Sequence, residues 1–118
     1  MTKYAIEFYK TEAGKSPAKE FVLALDTKMK AKILRVFDML EKNGPEVRMP
    51  HTEMLEDGIF EIRAKQGSDI TRLLYFFRVG RKIIVTNGFV KKTQRTPLRE
   101  IETAKRYRAD YERRYGNE

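Results

Sequence analysis

The chain begins with a strand-like alternation of apolar and polar positions. Tyr4, Ile6 and Phe8 occupy every second position, which is the period of a half-buried β-strand. Ser16 followed by Pro17 is typical of a helix start, with Ser16 as N-cap and Pro17 at the first helical position. This pattern predicts one strand and then a short helix, whose apolar residues are Phe21, Val22 and Leu25.

A second, longer helix follows directly. Asp26 is a suitable N-cap, and Asn43-Gly44-Pro45 is a typical helix stop. Between them apolar residues recur at helical spacing: Met29, Ile33, Val36, Phe37 and Leu40. The two helices are therefore predicted to form an antiparallel pair that packs one apolar stripe onto a sheet.

The second half of the chain predicts three strands and a final helix. Residues 45–58 contain two prolines and Asp57-Gly58 and are predicted to be a loop. Strands are predicted at 59–65, 70–78 and 82–87, and Thr96 and Pro97 are predicted to open the last helix. The order β-α-α-β-β-β-α indicates a single α+β domain over residues 1–118. We expect an antiparallel sheet of about four strands, with the helices mainly on one face.

Charge is distributed very unevenly along these elements. The 118 residues carry 25 Lys and Arg against 17 Asp and Glu, a formal net charge of +8. Residues 1–58 have a net charge of 0, residues 59–96 of +7 and residues 97–118 of +1. A solvated surface is one explanation of the basic segment. A binding surface for a polyanion, usually nucleic acid, is the sharper one.

Several kinds of site are excluded by composition. Without cysteine there is no disulfide, thiolate metal site or thiol nucleophile, and one histidine cannot form a histidine metal site. No phosphate-binding glycine loop and no Gly-x-Ser-x-Gly motif occur. No stretch approaches the roughly 20 apolar residues of a membrane span. We expect a soluble, cytoplasmic protein without metal or cofactor.

The basic strands offer one plausible chemistry. Alternation places Glu61, Arg63 and Lys65 on one face of the first central strand, and Arg72 lies on its partner strand. Clustered cations stabilise a pentacovalent phosphate, and a lysine of depressed pKa is a possible general base toward a ribose hydroxyl. Passive phosphate binding by the same residues is the alternative. The remaining cations of this segment are candidate RNA contacts or catalytic groups: Arg78, Arg81, Lys82, Lys91, Lys92 and Arg95.

Three motifs together resemble the RelE/ParE toxin superfamily, and most closely its HigB-like, phage-related branch. They are Asp-Gly-Ile-Phe-Glu-Ile-Arg at 57–63, Arg-Leu-Leu-Tyr-Phe-Phe at 72–77 and Gly-Phe-Val-Lys-Lys-Thr-Gln-Arg-Thr-Pro at 88–97. The resemblance covers roughly residues 3–112. It implies the β-α-α-β-β-β-α fold, ribosome-dependent cleavage of mRNA, and neutralisation by an antitoxin, in HigB-like systems usually a HigA-like helix-turn-helix protein.

The resemblance also implies roles for individual residues. The strand cations of the family correspond to Arg63 and Lys65, and its phosphate-contacting sheet arginine corresponds to Arg72. The basic pair after the last strand corresponds to Lys91 and Lys92. Glu61 departs from the pattern, because some relatives have lysine there, and His51 lies where some HigB-type toxins use a histidine. The catalytic C-terminal Tyr or His of other relatives has no clear counterpart, although Tyr107 and Tyr111 lie in the last helix.

Three functions remain open on the sequence. The leading hypothesis is a toxin that cleaves ribosome-bound mRNA without a metal, in which Arg63, Arg72 and Lys92 hold the phosphate and Lys91 or Lys65 assists proton transfer. The second is a ParE-like poison of DNA gyrase on the same fold. The third is a basic module that binds RNA or DNA without cleaving it. The partners implied by the first are the antitoxin, the ribosome and mRNA.

Overall fold

A computed structural model describes residues 3–91 and 95–116, without the side chain of Lys91. The elements in chain order are β1 (Ala5–Phe8), α1 (Pro17–Leu23), α2 (Thr27–Asn43), a 3₁₀ turn (Gly44–Glu46), β2 (Thr52–Glu56), β3 (Ile59–Gln66), β4 (Asp69–Arg78), β5 (Lys82–Lys91) and α3 (Leu98–Tyr115). The prediction of a small α+β fold is confirmed. No helix in the described ranges is long and apolar enough to cross a membrane.

The sheet has five strands in the order β1-β5-β4-β3-β2. The expectation of an antiparallel sheet is wrong for one pair, because β1 runs parallel to β5, with Ala5 opposite Lys82 and Phe8 opposite Val85. The chain leaves β1, crosses through α1 and α2, and re-enters at the far edge as β2. Four successive antiparallel strands then lead back across the sheet, so that β5 arrives beside β1 in the same direction.

The sequence predicts a loop over residues 45–58, but the structure forms strand β2 within this segment. Thr52 lies opposite Ile62 and Met54 opposite Phe60, with a bulge before Glu56. Asp57 and Gly58 connect β2 to β3, with φ angles of 50° and 75°. Two consecutive residues with positive φ form the tight turn that matches the twist of a β-hairpin. The Asp-Gly pair therefore sets the register of β3.

Two apolar layers cover the two faces of the sheet. The five apolar positions predicted for α2 are all buried, and with α1 they pack against Ile62, Leu73 and Val85. The second layer packs α3 through Ala104 and Tyr111 onto the opposite face. Two of the three helices in the described residues thus lie on one face, and α3 lies on the other. Leu98 and Tyr115 of α3 are largely exposed.

The predicted N-cap positions are correct for α1 and α2 and different for α3. Asp26 accepts a hydrogen bond from the Met29 amide at 2.8 Å, and α2 ends at Asn43 before Gly44, as predicted. Ser16 precedes α1, but its hydroxyl donates to the Tyr9 carbonyl at 2.9 Å. Pro97 rather than Thr96 is the N-cap of α3. The Thr96 hydroxyl is thereby available for a contact with the sheet.

Candidate nucleic-acid interface

The predicted charged face of β3 exists and lies on the side of the sheet that α3 partly covers. Arg63 lies opposite Arg72 on β4, and Phe89 on β5 lies opposite Arg72 from the other side. Residues opposite one another in neighbouring strands share a face, so the two arginines project to the same side. The pairing that the sequence predicted between β3 and β4 is confirmed.

Glu61 lies at the centre of this face. Its side chain is 1% exposed; one carboxylate oxygen is 3.5 Å from Arg63 Nε and the other is 3.9 Å from Arg72 Nε. The second oxygen also accepts a hydrogen bond from the Thr96 hydroxyl. Burial raises the pKa of Glu61 above its ordinary value, whereas the Thr96 hydrogen bond and the charges of Arg72 and Arg63 oppose that rise. The carboxyl group is thus held inside a compact ionic network.

Arg72 is buried completely, with 0% of its side chain exposed. Besides the ion pair with Glu61, its guanidinium donates to the Thr96 hydroxyl oxygen at 3.4 Å. Burial lowers the pKa of Arg72, and Glu61 opposes the shift. The Arg72 side chain thus has no exposed surface in this structure, and its predicted contact with a phosphate stays a prediction. Arg72 and Glu61 lie with Arg63 in one ionic network.

Arg63 and Lys65 are the predicted cations that reach the surface at this end of the sheet. The Arg63 side chain is 16% exposed and is held between Glu61 and Glu53, whose carboxylate is 3.4 Å from its guanidinium. Lys65 is exposed, and its backbone carbonyl accepts a hydrogen bond from Lys32 Nζ at 2.6 Å. Two carboxylates therefore fix the direction of Arg63, while Lys65 keeps an exposed side chain.

The loop cations after β5 are only partly described. In register, Lys91 lies opposite Ile70, and Ile70 lies opposite Lys65, so the three positions form one row across β5, β4 and β3. Lys92 lies outside the described residues, as do Thr93 and Gln94. Arg95 is exposed just before α3. The backbone thus brings the end of β5 to the same end of the sheet as Lys65.

The other predicted RNA contacts lie at the opposite end of the sheet. Arg78 is six residues beyond Arg72 on β4, a separation of about 20 Å in an extended strand. Its guanidinium donates at 2.8 Å to the carbonyl oxygens of both Tyr115 and Gly116 and so stabilises the C-terminal end of α3. Arg81 lies in the turn between β4 and β5 with φ 60°, and the Lys82 ammonium is 3.9 Å from the Glu7 carboxylate. These three cations do not join Arg63 and Lys65 in one site.

Comparison with known protein families identifies the chain. Residues 20–109, about three-quarters of the sequence, match the family described as phage-derived protein Gp49-like (DUF891). The chain belongs to the Gp49-like family. This is a RelE-like toxin family of toxin–antitoxin systems, so membership implies a cognate antitoxin as partner. No curated protein matches the sequence.

The Gp49-like chain also has a cavity that the sequence did not reveal. Its volume is about 390 Å³, and it lies between α2, residues 49–51 and the end of β3. His51 lines this cavity, and its backbone carbonyl accepts a hydrogen bond from the Arg63 amide at 2.9 Å. Lys32 and Arg35 of α2 line it as well. Within the described ranges, no group of three His, Cys, Asp or Glu residues could hold a metal ion.

Four contributors to this region were missed in the sequence: Glu53, Thr96, Lys32 and Arg35. Glu53 falls in the unpredicted strand β2, and Thr96 was assigned to the cap of α3. Lys32 and Arg35 are spaced three residues apart on α2, which places them on neighbouring turns of one helix face. That spacing is visible in the sequence. It became informative only when the fold placed this face beside β3.

Proposed function

We propose that this Gp49-like chain is the toxin of a type II toxin–antitoxin system of the HigB-like branch. In this proposal it inhibits translation by cleaving mRNA on the ribosome, without a catalytic metal ion. Family membership supports the toxin assignment. The observation that carries the chemistry is the position of Arg63, a partly exposed guanidinium fixed by two carboxylates beside the exposed Lys65. Preorganised cations of this kind are suited to charge that develops on a phosphate.

The proposed reaction is an attack of the ribose on its own phosphodiester. The 2′-oxygen forms a bond to phosphorus, the bond from phosphorus to the 5′-oxygen breaks, and the products are a 2′,3′-cyclic phosphate and a 5′-hydroxyl. Arg63 binds the phosphate and stabilises the added negative charge. Lys65 or Lys91 assists removal of the 2′-hydroxyl proton, and the leaving 5′-oxygen receives a proton from a second cation or from water. Lys92 is a further candidate for holding the phosphate.

Mapping of mRNA ends after induction of the chain in growing cells tests this function. Cuts should follow the reading frame of translated messages, and the new 5′ ends should become ligatable only after phosphorylation, because they carry a hydroxyl. Intact mRNA accompanied by a DNA-damage response would identify a gyrase poison instead. RNA binding without any cut would identify a non-catalytic module.

Charge-matched variants test the site itself. We expect Arg63→Ala to lower cleavage by roughly 100-fold or more, as removal of one preorganised transition-state contact does. Arg63→Lys should restore little, because an ammonium does not reproduce the planar fork of a guanidinium. The control is Lys42→Ala, since Lys42 is an exposed cation near the C-terminal end of α2 that pairs only with Asp38 among the ion pairs described. Equal activity of Arg63→Ala and Lys42→Ala would refute the assignment.

A further inference from the structure

The cavity beside β3 combines an apolar interior with a cationic rim. Its volume of about 390 Å³ lies within the range of small-molecule sites, which is roughly 300–1,000 Å³. The apolar part of the lining comes from Val36, Met39, Met49, Pro50 and Ala64. The cations of α2 that line it are Lys32 and Arg35, while Arg63 and Lys65 border it along β3, and no Asp or Glu lines the cavity. Such a lining fits a ligand with a flat apolar body and a negatively charged group.

The cationic rim is partly preorganised. Lys32 Nζ donates one hydrogen bond to the Lys65 carbonyl at 2.6 Å, which fixes the ammonium at the wall between α2 and β3. An ammonium has three donors, so two remain for a phosphate. Arg35 lies three residues further along α2 and is exposed. The two cations can therefore approach one anionic group from the same helix.

The apolar wall suits a nucleobase. Met39 and Met49 come from different segments, α2 and the loop before β2, and both line the cavity. Methionine side chains are flexible and polarisable and adapt to flat ligands. Met49 is 65% exposed although it lies beside an apolar cavity, an arrangement that a stacked base would make favourable.

We propose that this cavity binds one nucleotide of the RNA strand, with its base against Met39 and Met49 and its phosphate on Lys32 and Arg35. The inference rests on the proposed function, because the cavity shares Arg63 and Lys65 with the candidate cleavage site. An acidic peptide is the competing ligand class. The cavity volume of about 390 Å³ and the two cations on one helix favour a single nucleotide over an extended peptide.

The methionine methyl groups provide a direct test, since the chain has only five methionines. The purified chain, labelled with ¹³C at the methionine methyls, is titrated with a 2′-O-methyl RNA hexamer, which cannot be cleaved through its 2′-oxygen. Further titrations use AMP, inorganic phosphate and an acidic dodecapeptide. We expect saturable shifts of the Met39 and Met49 signals with the hexamer. The signals of Met29, buried in the core, and Met54, on β2 outside the cavity, should not move.

The ligand series separates the possible sources of these shifts. The hexamer should bind at least tenfold more tightly than AMP, because neighbouring phosphates add contacts along the strand. AMP binding as tight as the hexamer would make this a free-nucleotide site and overturn the assignment to the strand. Equal shifts with inorganic phosphate, movement of Met54 to the same extent, or shifts with the peptide but not with the hexamer would each overturn the proposal.

Variants of the rim complete the test. Arg35→Gln should weaken hexamer binding roughly tenfold, the usual effect of losing a charge-assisted contact, and Lys42→Gln on the same helix should not change it. Lys32→Gln should weaken it as well, and unchanged spectra away from the cavity would show that the variant is folded. If the chain cleaves mRNA but the cavity signals do not shift, only this inference fails. If the signals shift but no mRNA is cut, only the proposed function fails.

Discussion

Replacement of Arg72 by alanine tests the buried network most directly. The variant leaves Glu61, which is 1% exposed, without the guanidinium whose Nε is 3.9 Å from its carboxylate. Removing one partner of a buried ion pair costs about 3–5 kcal/mol, because the remaining charge stays desolvated. Domains of this size are stable by about 5–15 kcal/mol, so Arg72→Ala should lose a large part of the free energy of unfolding.

The loss should depend on pH in a definite direction. Burial already raises the pKa of Glu61, so the folded state holds that proton more strongly than the unfolded chain does. The contribution of Glu61 to stability therefore falls as pH rises from about 4.3, its ordinary value, through the folded pKa. Without the positive charge of Arg72, the pKa of Glu61 in the folded state rises further. The pH range over which stability is lost therefore becomes wider. We expect the difference between the parent and Arg72→Ala to be smaller at pH 4 than at pH 7.

Urea unfolding followed by circular dichroism measures these differences. Arg99→Ala, which removes an exposed arginine of α3, is the control and should change the free energy of unfolding by less than about 0.5 kcal/mol. Adding Glu61→Gln to Arg72→Ala should recover about 1–3 kcal/mol at pH 7, because it removes the stranded charge. A loss below about 1 kcal/mol for Arg72→Ala, or no recovery in the double variant, would refute the network as the source of the effect.

A second double variant separates positioning from folding. Glu61→Met with Arg72→Met replaces the buried pair by apolar side chains, an exchange that is often neutral or stabilising. Arg63 would then keep Glu53 but lose the carboxylate beneath it. We expect a folded protein whose mRNA cleavage falls at least tenfold, since a small displacement of a catalytic group is costly. Full activity in this variant would show that the network serves stability alone.

Four further predictions concern the scaffold. Gly88→Ala places a Cβ 2.5 Å from a ring carbon of Phe21 and should destabilise by about 1–3 kcal/mol in urea unfolding. Gly67→Ala, where φ is +62° and no heavy atom lies within 4 Å, should cost only the backbone strain of about 1 kcal/mol. Asp26→Ala removes the N-cap bond of α2 and should cost about 1 kcal/mol by the same assay. Burial raises the pKa of Tyr9 to about 12, so an ultraviolet titration should show Tyr9 ionising at higher pH than free tyrosine. The free energy of unfolding should fall as pH rises from about 10 toward that pKa.

Most of the fold was predictable because local patterns and tertiary packing agree. The apolar stripe and the caps of α2 held in every position, since amphipathic spacing and an Asp N-cap act within the helix itself. Strand β2 was missed although Asp57-Gly58 is a strong hairpin signal. Pro45 and Pro50 upstream are typical of a loop and favour that interpretation of residues 45–58. The parallel pairing of β1 could not be predicted, because the direction of an edge strand depends on where the meander ends and not on its own residues.

The candidate site was less predictable, because charge counts carry no information on exposure. Arg72 and Arg63 have the same charge and lie opposite one another, yet one is fully buried and the other reaches the surface. Arg72 lies on β4 between Arg63 and Phe89 of the two neighbouring strands, and Thr96 contacts both its guanidinium and Glu61. Contacts between residues 35 positions apart depend on the whole fold. Alternation along β3 predicts which face Arg63 projects from. It does not show which residues cover Arg72 on the neighbouring strand.

The positive charges of residues 59–96, which sum to a net charge of +7, therefore fall into two groups with different contacts. At the turn between β4 and β5, Arg78 binds the last carbonyls of α3 and Lys82 lies near Glu7, so these charges stabilise the junction of helix and sheet. At the other end of the sheet, Arg63 and Lys65 border a cavity. Lys32 and Arg35 of α2 add two cations to its rim, although residues 1–58, which include α2, have a net charge of 0. A polyanion is thus expected to contact the end of β3 and α2 together. The proposed binding surface is assembled from both halves of the chain, which explains why neither the charge map nor any single motif defines it alone.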